Sequence, residues 1–497
     1  MRLTVVKANV FWAIISQLTS IVCGFVIPKT LLAAFGSESY GLVTSISQFL
    51  NYVTLLEGGV SGVAISALYK PLQEKDTERL SQIIYEIRSF FRKLGLVCIA
   101  FTLFVAVIYP RFIETKFDYG YVFALTIVLG SRLIVQYCIS ISFRLLIHAD
   151  QKVYYISIVQ IIITVTHLIL VIICVYVFDD ILAVYFISGL IYLIQPLFYI
   201  RFVSRNYKID KPKNITAEAL KQKWDGFGQN LAYFIHSNTD VVLLTLFASL
   251  TDVSIYSIYL MVAIALKGLI ITMSNAVSPS MGNLLAKGDI EESKYVFFKY
   301  EYAITLISFV FYTCGIELII PFVSVYTSGI HDANYIRPLF GAIILLAELA
   351  YCVRDPYVSV AYAAGHFKET SRYAYIEAIG NIIISIVLVK KMGLTGVAIG
   401  TLISMSIRGI QQVLYLRYHI LYVDYSLFFR KIFIYGSTSF FVILLSKVFI
   451  PWKMTSFVEW ITYTIISFIL TVIMFILSNL MFYKNDLYYF AKKVLKR

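Results

Sequence analysis

Apolar positions along this chain fall into fourteen long runs: 8–35, 39–67, 94–110, 119–147, 154–177, 181–203, 226–250, 253–284, 300–326, 335–364, 373–390, 393–416, 432–450 and 456–482. Each holds at least about 17 mostly apolar residues, enough for a helix to cross a hydrocarbon layer about 30 Å thick. Apolar and polar residues do not alternate as they would in a membrane barrel, so helices are the only spanning structure the pattern allows. The expectation is an all-α integral membrane protein with 14 transmembrane helices.

The polar segments between runs set an orientation. Alternate loops, with both ends of the chain, carry 29 of the 42 Lys and Arg, while the opposite loops carry six: Arg111, Lys116, Arg337, Lys390, Lys391 and Lys453. Basic residues collect on the cytoplasmic side of short loops, so both termini are expected in the cytoplasm. The net charge of +13 therefore belongs to a membrane topology, and nucleic acid is not an expected partner. Residues 8–35 are too long for the apolar core of a cleavable signal and read as the first span.

Composition agrees, with 59% hydrophobic residues, 14% charged residues and a mean hydropathy of +0.80. Six Cys are scattered through the apolar runs with no C-x-x-C pair and read as small buried hydrophobes. No G-x-x-x-x-G-K-[ST] motif is present, so no ATP motor is built in, and no cofactor is expected. Coupling to a proton gradient, a Na⁺ gradient or the membrane potential stays open. The runs leave little chain outside the membrane for a catalytic domain.

An internal repeat orders the fourteen runs. Leu72-Gln73-Glu74-Lys75-Asp76-Thr77-Glu78 and Leu285-Ala286-Lys287-Gly288-Asp289-Ile290-Glu291 share the pattern L-x-x-x-D-x-E, and Phe90-Phe91-Arg92 is echoed by Phe297-Phe298-Lys299. Both echoes follow an even-numbered run. Runs 1–6 and 7–12 then form two six-helix lobes of one orientation, related by a pseudo-twofold along the membrane normal. The expected division is 1–203 (first lobe), 204–225 (cytoplasmic linker), 226–416 (second lobe) and 417–497 (two extra helices and a basic tail).

Candidate chemistry lies in charges inside the runs: Lys29, Glu57, Arg132, Asp240, Lys267, Glu348, Arg354 and Asp355. Placing such a residue in a bilayer core costs about 2.5–3.5 kcal/mol on insertion scales, so each needs a polar partner or a wet cavity. Lys29, Glu57, Asp240 and Lys267 fall on runs 1, 2, 7 and 8, equivalent pairs in the two lobes. Arg132 and Arg354 occupy equivalent runs 4 and 10. His236 stands one helical turn before Asp240. A structural ion pair, such as Asp240 with Lys267, competes with a transport role for these residues. Arg144, Arg408 and Lys447 lie near run ends and read as snorkelling side chains.

Several short segments resemble a known family in order along the chain. Phe35-Gly36-Ser37-Glu38-Ser39-Tyr40-Gly41-Leu42 resembles the turn after the first span of polysaccharide flippases, and Leu68-Tyr69-Lys70-Pro71-Leu72 the loop after their second. Asp252-Val253-Ser254-Ile255-Tyr256-Ser257, Gly282-Asn283-Leu284-Leu285-Ala286-Lys287-Gly288-Asp289 and Ala364-Gly365-His366-Phe367-Lys368 are similar to the matching places further on. The resemblance is to the lipid-linked oligosaccharide flippases of the multidrug/oligosaccharidyl-lipid/polysaccharide (MOP) exporter superfamily.

That resemblance implies a bacterial plasma-membrane protein that moves undecaprenyl-pyrophosphate-linked repeat units to the outer leaflet by alternating access, for O-antigen or capsule. Partners would be the polyprenyl-pyrophosphate-linked oligosaccharide, membrane lipid, and the polymerase and glycosyltransferases of the same pathway. Lys29, Lys267, Arg132 and Arg354 would meet the pyrophosphate. Glu57, Asp240, His236 and Asp355 would supply cavity acids or ion coupling, with Glu57 or Asp240 pairing the lysines when the site is empty. Rival readings are a drug or metabolite:cation antiporter of the same fold, a flippase for lipid II or teichoic-acid precursors, and a membrane polymerase or acyltransferase. The last would need catalytic spacing that the residues do not show.

Overall fold

A computed structural model describes residues 2–57, 60–212, 227–287, 289–422, 424–449, 454–484 and 486–488. The described residues are helical, with no strand among them. In order the helices are α1 (Arg2–Asn51), a 3₁₀ segment (Tyr52–Glu57), α2 (Val60–Glu74), α3 (Thr77–Phe112), α4 (Tyr119–Val135), a π-turn (Gln136–Ser140) and α5 (Ile141–Ala149). There follow α6 (Val153–Val177), α7 (Ile181–Gly189), α8 (Ile191–Asn206), α9 (Phe227–Phe247), α10 (Leu250–Lys287), α11 (Ile290–Tyr326), α12 (Pro338–Ala363), α13 (Phe367–Met392), α14 (Leu394–His419), α15 (Ser426–Phe449) and α16 (Phe457–Phe482).

Eleven helices among the described residues are long and apolar enough to cross a membrane, and the protein is a multi-pass membrane protein. α12 is long enough as well, but it carries Glu348, Arg354 and Asp355 in its middle. Apolar side chains spaced four apart point outward, as Ile379, Ile383 and Val387 do on α13 and Ile461, Ile465 and Ile469 do on α16. In water such stripes would be a liability, whereas in lipid they are the expected outer surface.

Helix ends follow from local chemistry. Gly36 takes φ 79°, which splits α1 into two helical stretches where the first two apolar runs meet. An L-residue with a side chain would be strained there. Asp76 caps α3 by accepting the Arg79 N–H at 2.9 Å, and Asp289 caps α11 by accepting the Glu292 N–H at 3.0 Å. The two aspartates of the repeated L-x-x-x-D-x-E pattern therefore perform the same local task. α3 and α11 begin well before the apolar runs at 94 and 300, because each has an amphipathic first section that burial holds in helix. In the loop between α5 and α6, Asp150 accepts a hydrogen bond from the Tyr207 phenol at 2.6 Å and pairs with Lys152 at 2.8 Å. Burial, and then the Asp150 carboxylate, push the Tyr207 phenol above its ordinary value.

The chain divides into two compact units: Met1–Phe234 with Ser249–Ser254, and Ile235–Ala248 with Ile255–Arg497. In the first, α1 packs on α6, α3 on α4, and α6 and α4 on α7. In the second, α11 packs on α12, and α13 and α12 pack on α14. Phe91 of α3 stacks on Tyr137 with centroids 6.4 Å apart, and Phe297 of α11 meets Tyr357 of α12 edge-on at 5.1 Å.

α15 and α16 pack on α11 through polar side chains. Lys431 pairs with Glu301, and Asn479 accepts hydrogen bonds from Tyr302 and Tyr435, both at 2.8 Å. Ser467 donates to Glu317, and Lys299 meets Asp486 at 2.6 Å. Lipid offers no substitute partners for these groups, so the helix pair is fastened to its own unit.

Candidate functional site

Six charged residues of the second unit lie close together on α10, α12, α13 and α14. Lys267 of α10 lies 3.0 Å from Glu348 of α12, with its ammonium 4.0 Å from the centre of the Tyr351 ring. The Arg354 guanidinium flanks the same ring at 4.7 Å. Arg354 then donates to Glu377 of α13 at 2.6 Å, and Arg408 of α14 donates to the other Glu377 oxygen at 2.5 Å. Asp355, next to Arg354 but turned about 100° around the helix, instead accepts from Ser274 of α10. Ser274 also contacts the Tyr300 hydroxyl.

α10 and α12 meet in register. Lys267 faces Glu348, and seven residues further on Ser274 faces Asp355. Seven residues are nearly two turns, so both contacts fall on one stripe of each helix, and the two helices run parallel.

Asp240 of α9 is buried and accepts hydrogen bonds from Tyr256 and Thr401, both at 2.8 Å, on one oxygen. Its Oδ1 is buried without a hydrogen bond, as is Oδ1 of Asn381, whose amide donates to Thr401 at 2.9 Å. His236 lies one turn earlier on α9, and its side chain lies outside the described residues.

In the first unit Glu57 ends the 3₁₀ segment and accepts from Tyr137 at 2.9 Å and Ser61 at 2.6 Å. Tyr137 sits in the π-turn, an irregularity of a kind common at functional sites. Arg132 is exposed, with its guanidinium 4.0 Å from the centre of the Tyr192 ring, and the buried His167 lies 5.1 Å from that ring. Lys29 is half-buried on α1.

These positions correct several sequence expectations. Asp240 does not pair with Lys267, because Glu348 takes the ammonium and hydroxyls take Asp240. Arg408 is not a snorkelling side chain, being 5% exposed and bonded to Glu377. Arg354, an expected contact of an anionic ligand, donates to Glu377. Glu377 was missed because its helix, α13, also carries exposed polar residues in its first turns, and position alone does not separate Glu377 from them.

A family profile described as polysaccharide biosynthesis protein matches residues 6–285. The chain belongs to the polysaccharide biosynthesis protein family. No curated protein matches it. Among solved structures, the lipid II flippase MurJ in an inward closed conformation is similar, with TM-score 0.73 and 14% identity, over 96% of this chain and 99% of that one. An inward-facing multidrug resistance MATE family transporter of the MOP superfamily gives TM-score 0.59 and 14% identity, over 81% of this chain and 94% of that one. A MOP superfamily transporter from Pyrococcus furiosus, described as having reverse polarity of its binding pocket, gives 0.61 and 14%, over 83% and 95%. This polysaccharide biosynthesis protein therefore has the fold of the MOP flippases and transporters.

Proposed function

We propose that the protein carries undecaprenyl-pyrophosphate-linked oligosaccharide repeat units from the inner to the outer leaflet of a bacterial plasma membrane by alternating access, for O-antigen or capsule assembly. The observation that carries this reading is family membership over 6–285 in a chain whose fold is similar to that of the lipid II flippase MurJ over 96% of its length. The proposal includes fourteen membrane-crossing helices and cytoplasmic termini, supported by the basic-residue asymmetry of the loops.

Lys267, Lys29 and Arg132 are the proposed contacts for the pyrophosphate, since desolvated cations make strong charge-assisted hydrogen bonds to phosphate oxygens. Lys267 is the most reachable cation of the second-unit group: its side chain is 14% exposed, against 6% for Arg354 and 7% for Arg408. Arg354 supports the group from behind. Asp240 is the proposed coupling group, with His236 beside it in sequence. The uncommitted oxygens of Asp240 and Asn381 suit a proton or a hard cation, which prefers oxygen ligands.

The test is complementation of a strain lacking its own flippase. Lys267→Ala and Lys29→Ala, produced at normal levels, are expected to stop surface polymer and to trap lipid-linked oligosaccharide in the inner leaflet. Normal polymer with both variants refutes the reading. A transport rate indifferent to Na⁺ and pH in both the native protein and Asp240→Asn removes the coupling proposal alone.

A further inference from the structure

Two kinds of ion pair coexist in the second unit. Glu377 receives aligned hydrogen bonds from Arg354 and Arg408 on both oxygens, and its side chain is 1% exposed. Lys267 and Glu348 are in contact at 3.0 Å, yet no well-aligned hydrogen bond reaches Glu348 Oε2. The ammonium also rests on the Tyr351 ring, whose face attracts a cation without demanding a fixed direction. At Glu348 Oε2 the pair is thus held by charge rather than by a directed bond, and the Lys267 side chain is the more exposed of the two.

The parallel register of α10 and α12 limits how this pair opens. Sliding one helix past the other to separate Lys267 from Glu348 would also break Ser274–Asp355, seven residues away on the same stripe. Rotation of the Lys267 side chain separates them at no cost to that second contact. A lysine has several rotatable bonds and a spherical ammonium, so it is suited to exchanging one oxygen anion for another, which a forked arginine is not.

We propose that Glu348 is the resident counter-anion of Lys267: it neutralises the ammonium while no phosphate is bound, and it sets headgroup affinity by competing with the phosphate for that ammonium. This rests on the reading above that Lys267 receives an anionic lipid headgroup. Glu348 offsets the Lys267 charge in the empty protein, as Glu377 does for the two guanidiniums. A phosphate displaces Glu348 by offering more charge and more acceptor oxygens. Glu348 then speeds release by recapturing the lysine. It acts as a positioning and specificity-determining residue through Lys267.

The experiment uses the full chain in lipid nanodiscs, with undecaprenyl pyrophosphate and undecaprenyl monophosphate as binding probes and transport of lipid-linked substrate in proteoliposomes. Glu348→Gln is expected to bind the pyrophosphate about tenfold more tightly, the effect of one charge-assisted contact. Lys267→Met is expected to weaken binding, and Glu348→Gln with Lys267→Met to match Lys267→Met alone. The monophosphate, with less charge, should gain less from Glu348→Gln. In transport, Glu348→Gln should lower KM and kcat together, a split that loss of structure would not produce. If Lys267→Met weakens binding but Glu348→Gln does not tighten it, this inference is overturned and the functional reading stands. If Lys267→Met binds as the native protein does, both fall. Should Glu348→Gln fail to fold, Glu348→Asp keeps the charge with a shorter reach and is expected to tighten binding by a smaller factor; unchanged binding there overturns the inference.

Discussion

Glu377→Gln removes the carboxylate that the Arg354 and Arg408 guanidiniums share. An amide can still accept from one arginine through its carbonyl oxygen, but it turns an NH₂ toward the other. One charge-assisted hydrogen bond is lost, the second is weakened, and two buried cations remain uncompensated at contacts that were 2.6 Å and 2.5 Å. Removing one partner of a buried ion pair costs about 3–5 kcal/mol. Spread over a unit of this size, that lowers the melting temperature by on the order of 10 °C. Melting of the purified protein in detergent can be followed with a thiol-reactive fluorophore, because Cys314 and Cys352 are buried until the second unit opens. Replacing all three residues together (Arg354→Met, Glu377→Leu, Arg408→Met) should recover most of the loss, since an apolar triad needs no compensation. Glu348→Gln should cost less than Glu377→Gln, because it strands one cation rather than two, and that ammonium is more exposed than either guanidinium and keeps the Tyr351 ring. A Glu377→Gln protein that melts no lower than Glu348→Gln would refute the division into a fixed frame and an exchangeable pair.

Other outcomes follow from the same geometry. Lys431→Met should destabilise the second unit by about 3 kcal/mol by stranding buried Glu301, while Lys431→Met with Glu301→Gln should restore most of it, read by the same melting assay. A side chain at Gly41 would overlap the Leu250 backbone carbonyl, so Gly41→Ala should cost about 3 kcal/mol or more, seen as loss of a monodisperse peak in size-exclusion chromatography. Asp76→Ala and Asp289→Ala should each cost about 1 kcal/mol in thermal melting, and Asp→Asn at either place much less, because Asn caps as well. Unequal losses at the two aspartates would argue against their serving as matching caps.

Much of the fold was legible because a bilayer imposes a one-dimensional rule. A segment must be apolar for the width of the membrane, and its backbone must be satisfied within itself, so runs in the sequence become helices directly. The break between the first two runs was legible for a similar local reason, since a glycine there acts on its own neighbours, whereas the repeated aspartates showed their capping role only in the structure. The amphipathic starts of α3 and α11 were not legible either, since their helicity depends on what covers their apolar side.

The pairing of charges was also beyond the sequence. Lys267 and Glu348 are 81 positions apart, and their meeting depends on the register of α10 against α12. Glu377 reads as an ordinary residue until α12 and α14 bring two arginines to it. The reversal of Arg408, from a side chain reaching for the membrane surface to a buried partner, has the same origin. The sequence by itself determined that charges would have to be compensated inside the membrane, because burial of an isolated charge is too costly. Only the tertiary structure decided which acid answers which cation, because that depends on helix register and on which faces meet, and neither is written in the spacing along one helix.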